Sequence, residues 1–443
     1  MKAAIIGGGT AGAAAALFLA RDGHAVTLFE RVADPQPVGA GLLLQPTGMD
    51  VMADLGLLDA ILAKGARIGE LYGTIPGGRA VIDIAYEKWR GGAFGLGLHR
   101  GVLFDALWQP LRAAGVDVHC GVEVDAFTTS ADGVRLHTTD DGRSGSGYDG
   151  SNGGGEYDLL VLADGTRSAL RAQTGIKHRA TPYPWGALWA ILPDPYEEYK
   201  GVLRQWYRGA HQMLGVMPTG AAPQNNAPVV SLFWSLRADR LDTWRAAGLA
   251  EWKKEAAALV PEVRGLLARI SDPAQLTYAS YADVVMPRWH TGRVVVIGDA
   301  AHAMSPQLGQ GANLALIDAQ VLAASLRHPI DDSTGRKPRL PLTGIHGARA
   351  DALHRTANPA ALGAAAVPVA LERYTRQRRS HLSYYQFASR WLTPAFQSDG
   401  RIVPALRDIF TGPMCKLPFT SGQMLDTLVG VKTGLLFGRI ATP

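Results

Sequence analysis

The stretch Met1-Lys-Ala-Ala-Ile-Ile-Gly7-Gly-Gly9-Thr-Ala-Gly12 opens the chain, and the next apolar segment ends at Glu30. Lys2 to Gly7 has the continuous apolar character of a buried parallel strand, and the alanine-rich segment Thr10 to Asp22 favours a helix. In a Gly-x-Gly-x-x-Gly turn the first glycine permits a tight turn, the second lets a pyrophosphate approach, and the third lets the helix pack closely. Glu30 stands at the distance expected of an acid that binds ribose hydroxyls. The sequence therefore predicts a dinucleotide-binding βαβ unit.

A second motif lies far downstream and runs from Val294-Val-Val-Ile-Gly298-Asp299 through Pro306 to Gly309-Gln-Gly311-Ala-Asn313. It predicts a strand, a tight loop and a helix that begins near Asn313. The Asp299 carboxylate could bind a hydroxyl of a flavin ribityl chain, and the helix N-terminus could stabilise the negative charge of a reduced flavin. Two nucleotide-binding elements in one chain favour a flavoprotein over a simple dehydrogenase. The alternative for this motif alone is a capped helix after a strand.

A third motif, Asp158-Leu-Leu-Val-Leu-Ala-Asp164-Gly165, predicts a buried strand that ends in a turn of small residues. Small residues there would let the backbone pass close to a pyrophosphate. Taken alone, the pattern also fits an ordinary strand and turn, so its significance comes from its place between the other two motifs.

Composition excludes several classes of protein. With 443 residues, of which 47% are hydrophobic and 19% charged, the chain can form a large core with two or three subregions. The net charge of +5 is scattered and forms no basic stripe interleaved with aromatic residues, so we expect no nucleic-acid partner. The two cysteines, Cys120 and Cys415, provide neither a disulfide framework nor a metal site, which favours a reducing compartment, the cytoplasm.

No segment has the roughly 18 uncharged apolar residues of a membrane span. We expect no signal peptide, because the predicted first strand begins at residue 2. The apolar tail from Leu425 to Ile440 is more typical of a buried C-terminal helix than of a segment at a membrane surface. We therefore predict a protein without a membrane span.

The order of the predicted elements indicates an α/β fold with a discontinuous nucleotide-binding domain. Short apolar runs between 184 and 236 predict a mostly antiparallel β-sheet inserted into that domain. Residues 142–155, rich in Gly and Ser, predict a flexible hairpin tip, and residues 328–367 predict an inserted flexible surface segment. The predicted boundaries are 1–72, 95–180 and 275–327 for the nucleotide-binding domain, 73–94 and 181–274 for the substrate domain, and 368–443 for a C-terminal helical region.

With the three motifs in this order, the chain resembles the single-component FAD-dependent aromatic hydroxylases, the p-hydroxybenzoate hydroxylase-like family of group A flavoproteins. The resemblance covers residues 1 to about 327 and, more loosely, Tyr374 to Arg379. It implies a Rossmann-like FAD-binding domain, FAD as cofactor, NADPH or NADH as electron donor and O2 as co-substrate. It also implies hydroxylation of a small aromatic substrate through a flavin C4a-hydroperoxide, and it allows a homodimer.

The resemblance assigns cofactor contacts to residues of all three motifs. The residues implied to hold the ADP part of FAD are Gly7, Gly9, Thr10, Ala11, Gly12, Glu30 and Arg31. Arg100 matches a family arginine that contacts the cofactor, and Asp164 belongs to a motif associated with both FAD and NAD(P)H. Asp299 matches the family's Gly-Asp aspartate, and the residues implied to line the isoalloxazine are Pro306, Gly309, Gly311, Ala312 and Asn313.

The predicted substrate pocket departs from relatives that act on small phenolic or pyridine acids. Where several of those relatives place His, Tyr or Arg, this chain has the nearly apolar stretches 39–45 and 213–218. We therefore predict a hydrophobic aromatic or polycyclic substrate in a pocket formed by Leu43, Trp206, Val216, Met217 and Phe233. The candidate catalytic residues are His211 and Tyr207 as bases and Gln45 as a hydrogen-bond partner, whereas His302 is expected to be structural.

Two other functions stay open from the sequence. One is a FAD-linked reductase or dehydrogenase of the same fold that inserts no oxygen. The other is a flavin-binding regulatory protein that uses residues 328–367 for docking. The intact loop from Asp299 to Asn313 favours an enzyme, so an NAD(P)H-dependent aromatic monooxygenase is the leading prediction.

Overall fold

The structure, a computed structural model, describes residues 1–36, 40–138, 156–327 and 366–440. The predicted hairpin tip at 142–155 and residues 328–365 of the predicted surface segment lie outside these ranges. The described strands are β1 (Lys2–Ile6), β2 (Ala25–Glu30), β3 (Gly41–Leu44), β4 (Ala66–Thr74), β5 (Ala80–Ala85), β6 (Gly95–His99), β7 (Asp117–Cys120), β8 (Val124–Thr129), β9 (Val134–Thr138), β10 (Leu159–Leu162), β11 (Arg179–Pro193), β12 (Gly201–Arg208), β13 (Gln212–Ala221), β14 (Pro228–Arg237), β15 (Thr277–Val285), β16 (His290–Thr291) and β17 (Val294–Val296). The described α-helices are α1 (Thr10–Arg21), α2 (Pro46–Asp54), α3 (Leu58–Leu62), α4 (Arg100–Ala113), α5 (Leu170–Gln173), α6 (Leu241–Leu259), α7 (Arg264–Ala268), α8 (Asp299–His302), α9 (Gly311–Arg327), α10 (Val367–Phe396), α11 (Ile402–Lys416) and α12 (Pro418–Val429).

A six-stranded, mainly parallel sheet forms the first layer, in the order β16-β17-β10-β1-β2-β7. β1 lies between β2 and β10 in parallel register, β17 and β7 continue the parallel sheet, and β16 runs antiparallel at one edge. Strands that are buried on both faces need continuous apolar runs rather than alternating ones. This explains why the strands before the three motifs are recognisable in the sequence, and all three are confirmed.

A nine-stranded, mostly antiparallel sheet forms the second layer, in the order β15-β11-β14-β13-β12-β4-β6-β3, with β5 paired to β4. The apolar segments between 184 and 236 are β11 to β14, as predicted. β3, β6, β15 and most of β4 also belong to this sheet, although the predicted boundaries put them in the nucleotide-binding domain. The nearly apolar stretch that ends at residue 45 contains β3, because residues 41–44 pair with β6. The chain therefore crosses into the substrate sheet soon after β2 and returns with α4.

Different parts of the chain cover the two faces of the nine-stranded sheet. On one face, Val216 belongs to a core that includes residues of α6. On the other, Met217 shares a core cluster with Leu43, Phe233 and residues of α12. Consecutive residues of a strand point to opposite faces, which separates Val216 from its neighbour Met217. We call the surface that carries Met217 the pocket face.

Glycine and proline interrupt two helical segments. Gly56, which has a φ of +75°, separates α2 from α3. The span of α6 is kinked at Gly248, whose φ of +84° is not helical, and the regular helix that begins at Leu249 ends just before Pro261, which cannot continue it. Within the described ranges, no helix combines the length and apolar composition of a membrane span.

A buried carboxylate on α9 connects the two halves of the chain. Asp318 accepts hydrogen bonds from the backbone N of Gly298 at 2.8 Å and from Nε of Arg378 on α10 at 2.7 Å. Its second partner in the loop is Nε2 of His302, at 2.5 Å, which fits the structural role predicted for that histidine. Burial by itself raises the pKa of Asp318, but the charges of His302 and Arg378 outweigh burial and hold the pKa below its usual range.

The same arginine extends the network to the C-terminal region. Nη1 of Arg378 lies 2.6 Å from Nδ1 of His381, and Nε2 of His381 lies 2.7 Å from the carbonyl oxygen of Gly430. Burial and the charge of Arg378 lower the pKa of His381 to about 3. The ring is therefore neutral at physiological pH, so it accepts from Arg378 and donates to Gly430. A continuous buried network thus joins the loop at Gly298 to the end of α12.

Candidate active site

The carboxyl ends of four adjacent parallel strands bring the three sequence motifs to one edge of the sheet. The residues at that edge follow the order of the strands: Glu30 at the end of β2, Gly7 after β1, Asp164 after β10 and Asp299 after β17. Neighbouring strands lie about 4.8 Å apart, so three spacings separate Glu30 from Asp299 by roughly 14 Å. A crevice of this length suits an extended dinucleotide, and open α/β sheets bind their ligands at this edge.

The Gly7–Gly12 turn has no room for a side chain at two of its motif positions. Gly7 has a φ of +98°, and a Cβ there would lie 2.5 Å from the carbonyl oxygen of Ala163. A Cβ on Gly12 would lie 1.9 Å from the carbonyl oxygen of Gly7. Gly9, in contrast, has no atom within 4 Å of its Cβ position, so open space lies beside it at the start of α1. A phosphate group in that space would meet the first N–H groups of the helix.

Glu30 is held in place at the end of β2. Its Oε2 accepts a hydrogen bond from the backbone N of Gly8 at 2.8 Å, and its Oε1 accepts one from Val32 at 3.0 Å. The carboxylate therefore has a fixed position at the edge of the crevice. The predicted cofactor contacts Arg31 and Arg100 are both exposed, Arg100 as the first residue of α4.

Asp164 has the features of a carboxylate that lacks its ligand. Its Oδ1 is buried without a hydrogen-bond partner among the described residues, and burial raises the pKa of the group. The nearby Arg171 is almost completely buried and donates to the carbonyl oxygens of Thr166 at 3.1 Å and Ala300 at 2.7 Å. Arg171 thereby fixes the Asp164 turn against the Asp299 loop.

The Asp299 loop encloses a second open space. Asp299 is exposed. The heavy atom nearest to a Cβ on Gly311 would be Oδ1 of Asp299, at 4.0 Å. A Cβ on Gly309, which has a φ of +61°, would meet Leu43 at 3.9 Å. α9 begins at Gly311, two residues before the predicted start at Asn313, so its first N–H groups border this space. Of the other predicted ring contacts, Pro306 is exposed and Ala312 is half-buried.

Asn313 does not face this space but connects two loops. Its Oδ1 accepts a hydrogen bond from the backbone N of Gln45 at 2.8 Å, and its Nδ2 donates to the carbonyl oxygens of Leu43 at 3.3 Å and Gly309 at 3.0 Å. The residue is completely buried. We therefore correct the predicted role of Asn313: it positions the backbone on both sides of the site.

The end of α12 is fixed against the site by side chains from three other helices or loops. The last carbonyl groups of a helix lack partners within the helix. Here Thr427 O accepts from Tyr385 Oη at 2.9 Å, Leu428 O from Gln310 Nε2 at 2.6 Å, Val429 O from Thr47 Oγ1 at 3.0 Å and Gly430 O from His381 Nε2 at 2.7 Å. Gly430 has a φ of +95°, and a Cβ there would lie 2.2 Å from Thr47 Oγ1. The C-terminal region therefore forms one side of the site.

The predicted pocket residues divide between the two faces of the sheet. Leu43, Met217 and Phe233 share the core cluster of the pocket face. Trp206 and Val216 belong to the opposite face, where α6 covers them. The prediction that these two residues line the pocket needs correction, because it took neighbouring residues of a strand to face the same side.

The three candidate catalytic residues do not lie together. Tyr207 is buried in the core cluster of the pocket face, with its ring centroid 5.3 Å from that of Phe396, and burial raises its pKa, so the hydroxyl stays protonated and cannot act as a base. His211 is exposed in the turn between β12 and β13. At about 3.4 Å per residue it lies roughly 20 Å along β13 from Met217. The predicted base roles of Tyr207 and His211 therefore need correction, and Gln45 alone adjoins the Asp299 loop through Asn313.

Sequence reasoning missed the partner of Gln45. Tyr86 Oη donates a hydrogen bond to Gln45 Oε1 at 2.7 Å, and both residues are completely buried. Burial raises the pKa of Tyr86, so its hydroxyl stays protonated. Gln45 Nε2 is left without a partner among the described residues. No local pattern marks Tyr86, which lies in a short 3-10 turn, whereas Gln310 could have been found between its two motif glycines.

Comparison with known proteins gives consistent matches. A family model described as an FAD binding domain matches residues 1–338. The chain is 31% identical over 344 residues to the aurachin C monooxygenase/isomerase of Stigmatella aurantiaca, covering 73% of this chain and 79% of that protein. It is 28% identical over 340 residues to the 2-heptyl-3-hydroxy-4(1H)-quinolone synthase of Mycobacteroides abscessus, covering 75% and 83%. The Klebsiella pneumoniae HpxO structure complexed with FAD and uric acid has the same fold, with a TM-score of 0.73, 22% identity and 97% of each chain covered.

The fold and the crevice define a flavin-dependent oxidoreductase. The chain belongs to the FAD-binding domain family, and it is an FAD-dependent monooxygenase of the group A flavoprotein hydroxylase type. The fold class and the cofactor predicted from the sequence are thereby confirmed. Open space beside Gly9 and Gly311, together with the unpartnered oxygen of Asp164, fits an FAD molecule along the sheet edge.

Replacing Asp299 by alanine should weaken FAD binding by about tenfold or more, because a lost charge-assisted hydrogen bond costs about 1.5–3 kcal/mol. The fold should persist, since the side chain is exposed. Titration of apoprotein with FAD, followed by flavin fluorescence, measures the affinity. Asp132→Ala removes another exposed carboxylate, which lies in the turn between β8 and β9, and this variant should bind FAD like the wild type. Equal affinities for Asp299→Ala and the wild type would show that this carboxylate does not hold the cofactor.

Proposed function

We propose that this monooxygenase uses NADPH or NADH to hydroxylate a hydrophobic aromatic substrate that carries a ring carbonyl or hydroxyl group. The observation that carries the proposal is the composition of the pocket face. There an apolar cluster that includes Leu43 and Tyr86 adjoins a buried amide donor, Gln45 Nε2, which has no partner among the described residues. An unmatched buried donor costs free energy, and a substrate oxygen would offset that cost.

The apolar part of the pocket face suits a ring system larger than a small phenolic acid. Met217 and Phe233 lie on adjacent strands, and the ring of Phe233 packs against Trp189 in a tilted arrangement with centroids 4.7 Å apart. Leu43 continues this surface to the Asp299 loop, and Leu428 of α12 closes it from the C-terminal side. Desolvation of an apolar substrate against these side chains favours binding at about 25 cal/mol per Å² of buried apolar area.

The polar part of the pocket face orients the substrate. The hydrogen bond from Tyr86 occupies Gln45 Oε1 and so leaves the Nε2 hydrogens for the substrate. Asn313 holds the backbone of Gln45, which couples the donor to the loop expected beside the flavin ring. A donor fixed in this way positions a substrate oxygen with little further loss of freedom.

The overall reaction balances with one O2. One oxygen atom of O2 is inserted into a ring C–H bond to give C–OH, and the other leaves as water. NAD(P)H supplies two electrons and, together with one proton from solution, the hydrogens of that water. Bound FAD supplies the redox chemistry between the nicotinamide, O2 and the substrate. Leu43, Met217 and Phe233 exclude water from the reacting atoms. The N-terminus of α9, beginning at Gly311, stabilises negative charge at the adjoining edge of the cofactor.

The names of the relatives indicate which substrate classes should be considered. The names of two relatives refer to a heptyl-substituted hydroxyquinolone and to aurachin C, whereas HpxO is complexed with uric acid. The apolar pocket face favours a substrate of the first type. We therefore propose an alkyl-substituted 4-quinolone or a similar fused aromatic ring as the first compound to test.

The residue assignments for FAD are part of the proposal. We propose that Glu30 and Arg31 bind the adenosine part, Gly9 the pyrophosphate, Asp299 the ribityl chain, and Gly309 and Gly311 the isoalloxazine edge. We also propose that the enzyme acts in the cytoplasm, on the basis of its two cysteines, neither of which is in a disulfide. The homodimer stays a prediction, which is supported by the tetrameric form of an oxygenase with the same fold.

Isotope labelling tests the proposed reaction against the oxygen-free reductase alternative. With 18O2, NADPH and a substrate that stimulates NADPH oxidation, we expect one labelled oxygen atom in the product. The same incubation with H2(18)O should give no labelled product. Reduced or dehydrogenated product without label from 18O2 would exclude hydroxylation.

Gln45→Leu should raise KM for a carbonyl-bearing aromatic substrate by about tenfold, because it removes a hydrogen bond worth about 1–1.5 kcal/mol and keeps an apolar contact. Tyr86→Phe should have a smaller effect in the same direction, since it frees the amide to turn. Steady-state kinetics of substrate-stimulated NADPH oxidation measures both. His211→Gln serves as the matched control in an exposed turn and should leave KM unchanged. If all three variants have the wild-type KM, Gln45 does not bind the substrate.

A further inference from the structure

The outward face of α11 has the composition of a protein interior. Every large apolar residue on that face is between 39% and 76% exposed, namely Ile402, Val403, Leu406, Ile409, Phe410 and Met414. The inward face instead carries Arg407, which is buried and donates to the carbonyl oxygens of Ala395 at 2.9 Å and Gly209 at 3.0 Å. The usual arrangement of a surface helix is therefore reversed.

Further exposed apolar residues follow α11 in the chain. Leu417, between α11 and α12, and Phe419, in the first turn of α12, are both more than half exposed. Leu435, Leu436 and Phe437 are consecutive residues after α12, with exposures of 65%, 58% and 83%. Large exposed apolar side chains in such numbers are typical of a binding site.

The charges around α11 are those of a surface that meets anions. Arg401 and Lys416 stand at the two ends of the helix, and both are exposed. The acidic residue of the helix, Asp408, is bound by Nε of Arg407 at 2.8 Å. A third exposed cation, Arg79, precedes a residue that packs closely against α11. The carbonyl oxygen of that residue, Ala80, would lie only 2.5 Å from a Cβ on Gly412 of the helix.

We propose that the apolar face of α11 and the segment Leu435–Phe437 bind the surface of an anionic lipid bilayer. An amphipathic helix with apolar side chains on one face and cations at its ends is suited to lie in the headgroup region. A second copy of this chain fits the charges less well. If α11 packed on its own copy, antiparallel pairing would oppose Arg401 to Lys416, and parallel pairing would oppose each cation to itself.

This inference goes beyond the proposed function and does not depend on it. It also predicts that the proposed substrate pocket lies close to the membrane. α12, which follows α11 directly, has its last turn fixed against the Asp299 loop by Gln310 and contributes Leu428 to the pocket face. Binding through α11 would hold the substrate pocket near the phase into which hydrophobic aromatic compounds partition.

Flotation of purified holoenzyme with lipid vesicles tests the proposal. We expect at least fivefold more bound protein on phosphatidylcholine vesicles with about 30% phosphatidylglycerol than on phosphatidylcholine alone, and less binding as salt shortens the Debye length below about 8 Å. Phe410→Glu should reduce binding at least fivefold, as should Arg401→Glu combined with Lys416→Glu. Tyr196→Glu is the matched control, because Tyr196 is an aromatic residue that is 82% exposed elsewhere in the chain. The flavin absorbance per protein verifies that each variant is folded.

Absence of wild-type protein from both kinds of vesicle would overturn the proposal. Sedimentation velocity would then identify the occupant. A wild-type dimer that Phe410→Glu converts to monomer would assign the face to a second copy, and an unchanged sedimentation coefficient would leave neither a membrane nor a second copy on α11. Binding that Tyr196→Glu weakens as strongly as Phe410→Glu would also overturn it.

Discussion

The buried carboxylate of Asp318 is the interaction on which the arrangement of the site depends. It lies on α9 and binds the Gly298 N–H and His302 from the loop that follows β17, together with Arg378 from α10. Removing one partner of such a group would leave a charge uncompensated in the interior, which typically costs about 3–5 kcal/mol. The network therefore fixes where the Asp299 loop stands relative to the C-terminal helices.

Two kinds of constraint meet at the site. On the cofactor side, the parallel sheet and its glycine turns define a rigid edge, where Gly7 and Gly12 exclude side chains and Gly9 leaves room for a ligand. On the substrate side, the proposed pocket is assembled from β3, β13, β14 and the end of α12, which are far apart in the chain. Side chains that donate hydrogen bonds to successive carbonyl groups at the end of α12 hold this helix against the cofactor side. The proposed cofactor and substrate sites are consequently held by the same set of buried hydrogen bonds.

On the cofactor side, the sequence predicts the strands and the glycine turns well because their requirements are local. A tight turn needs positive φ at Gly7, and a doubly buried strand needs consecutive apolar residues, so each leaves a visible pattern. The alternation of β13 also shows that Val216 and Met217 face opposite sides. It does not show which side is the pocket, because that is decided by the packing of α6 and α12.

The substrate side was less predictable because its contacts join distant residues of ordinary type. Tyr86 and Gln45 are 41 residues apart, Gln310 and Leu428 are 118 apart, and Thr47 and Val429 are 382 apart. No spacing rule relates such pairs, and each donor is a residue type that is common on protein surfaces. The same reasoning explains why the sequence indicates His211 as a candidate by its side-chain chemistry and gives no sign of Tyr86.

Hydrogen exchange of Asp318→Asn, compared with the wild type and with Asp242→Asn, tests most directly whether this carboxylate holds the two sides of the site together. Asp242 is a suitable control because its side chain is 93% exposed. In Asp318→Asn, we predict exchange at least tenfold faster both at residues 298–302 and at residues 427–431, with little change in the central strands β13 and β14. Acceleration confined to the neighbourhood of residue 318, or a uniform acceleration over the whole chain, would contradict the account.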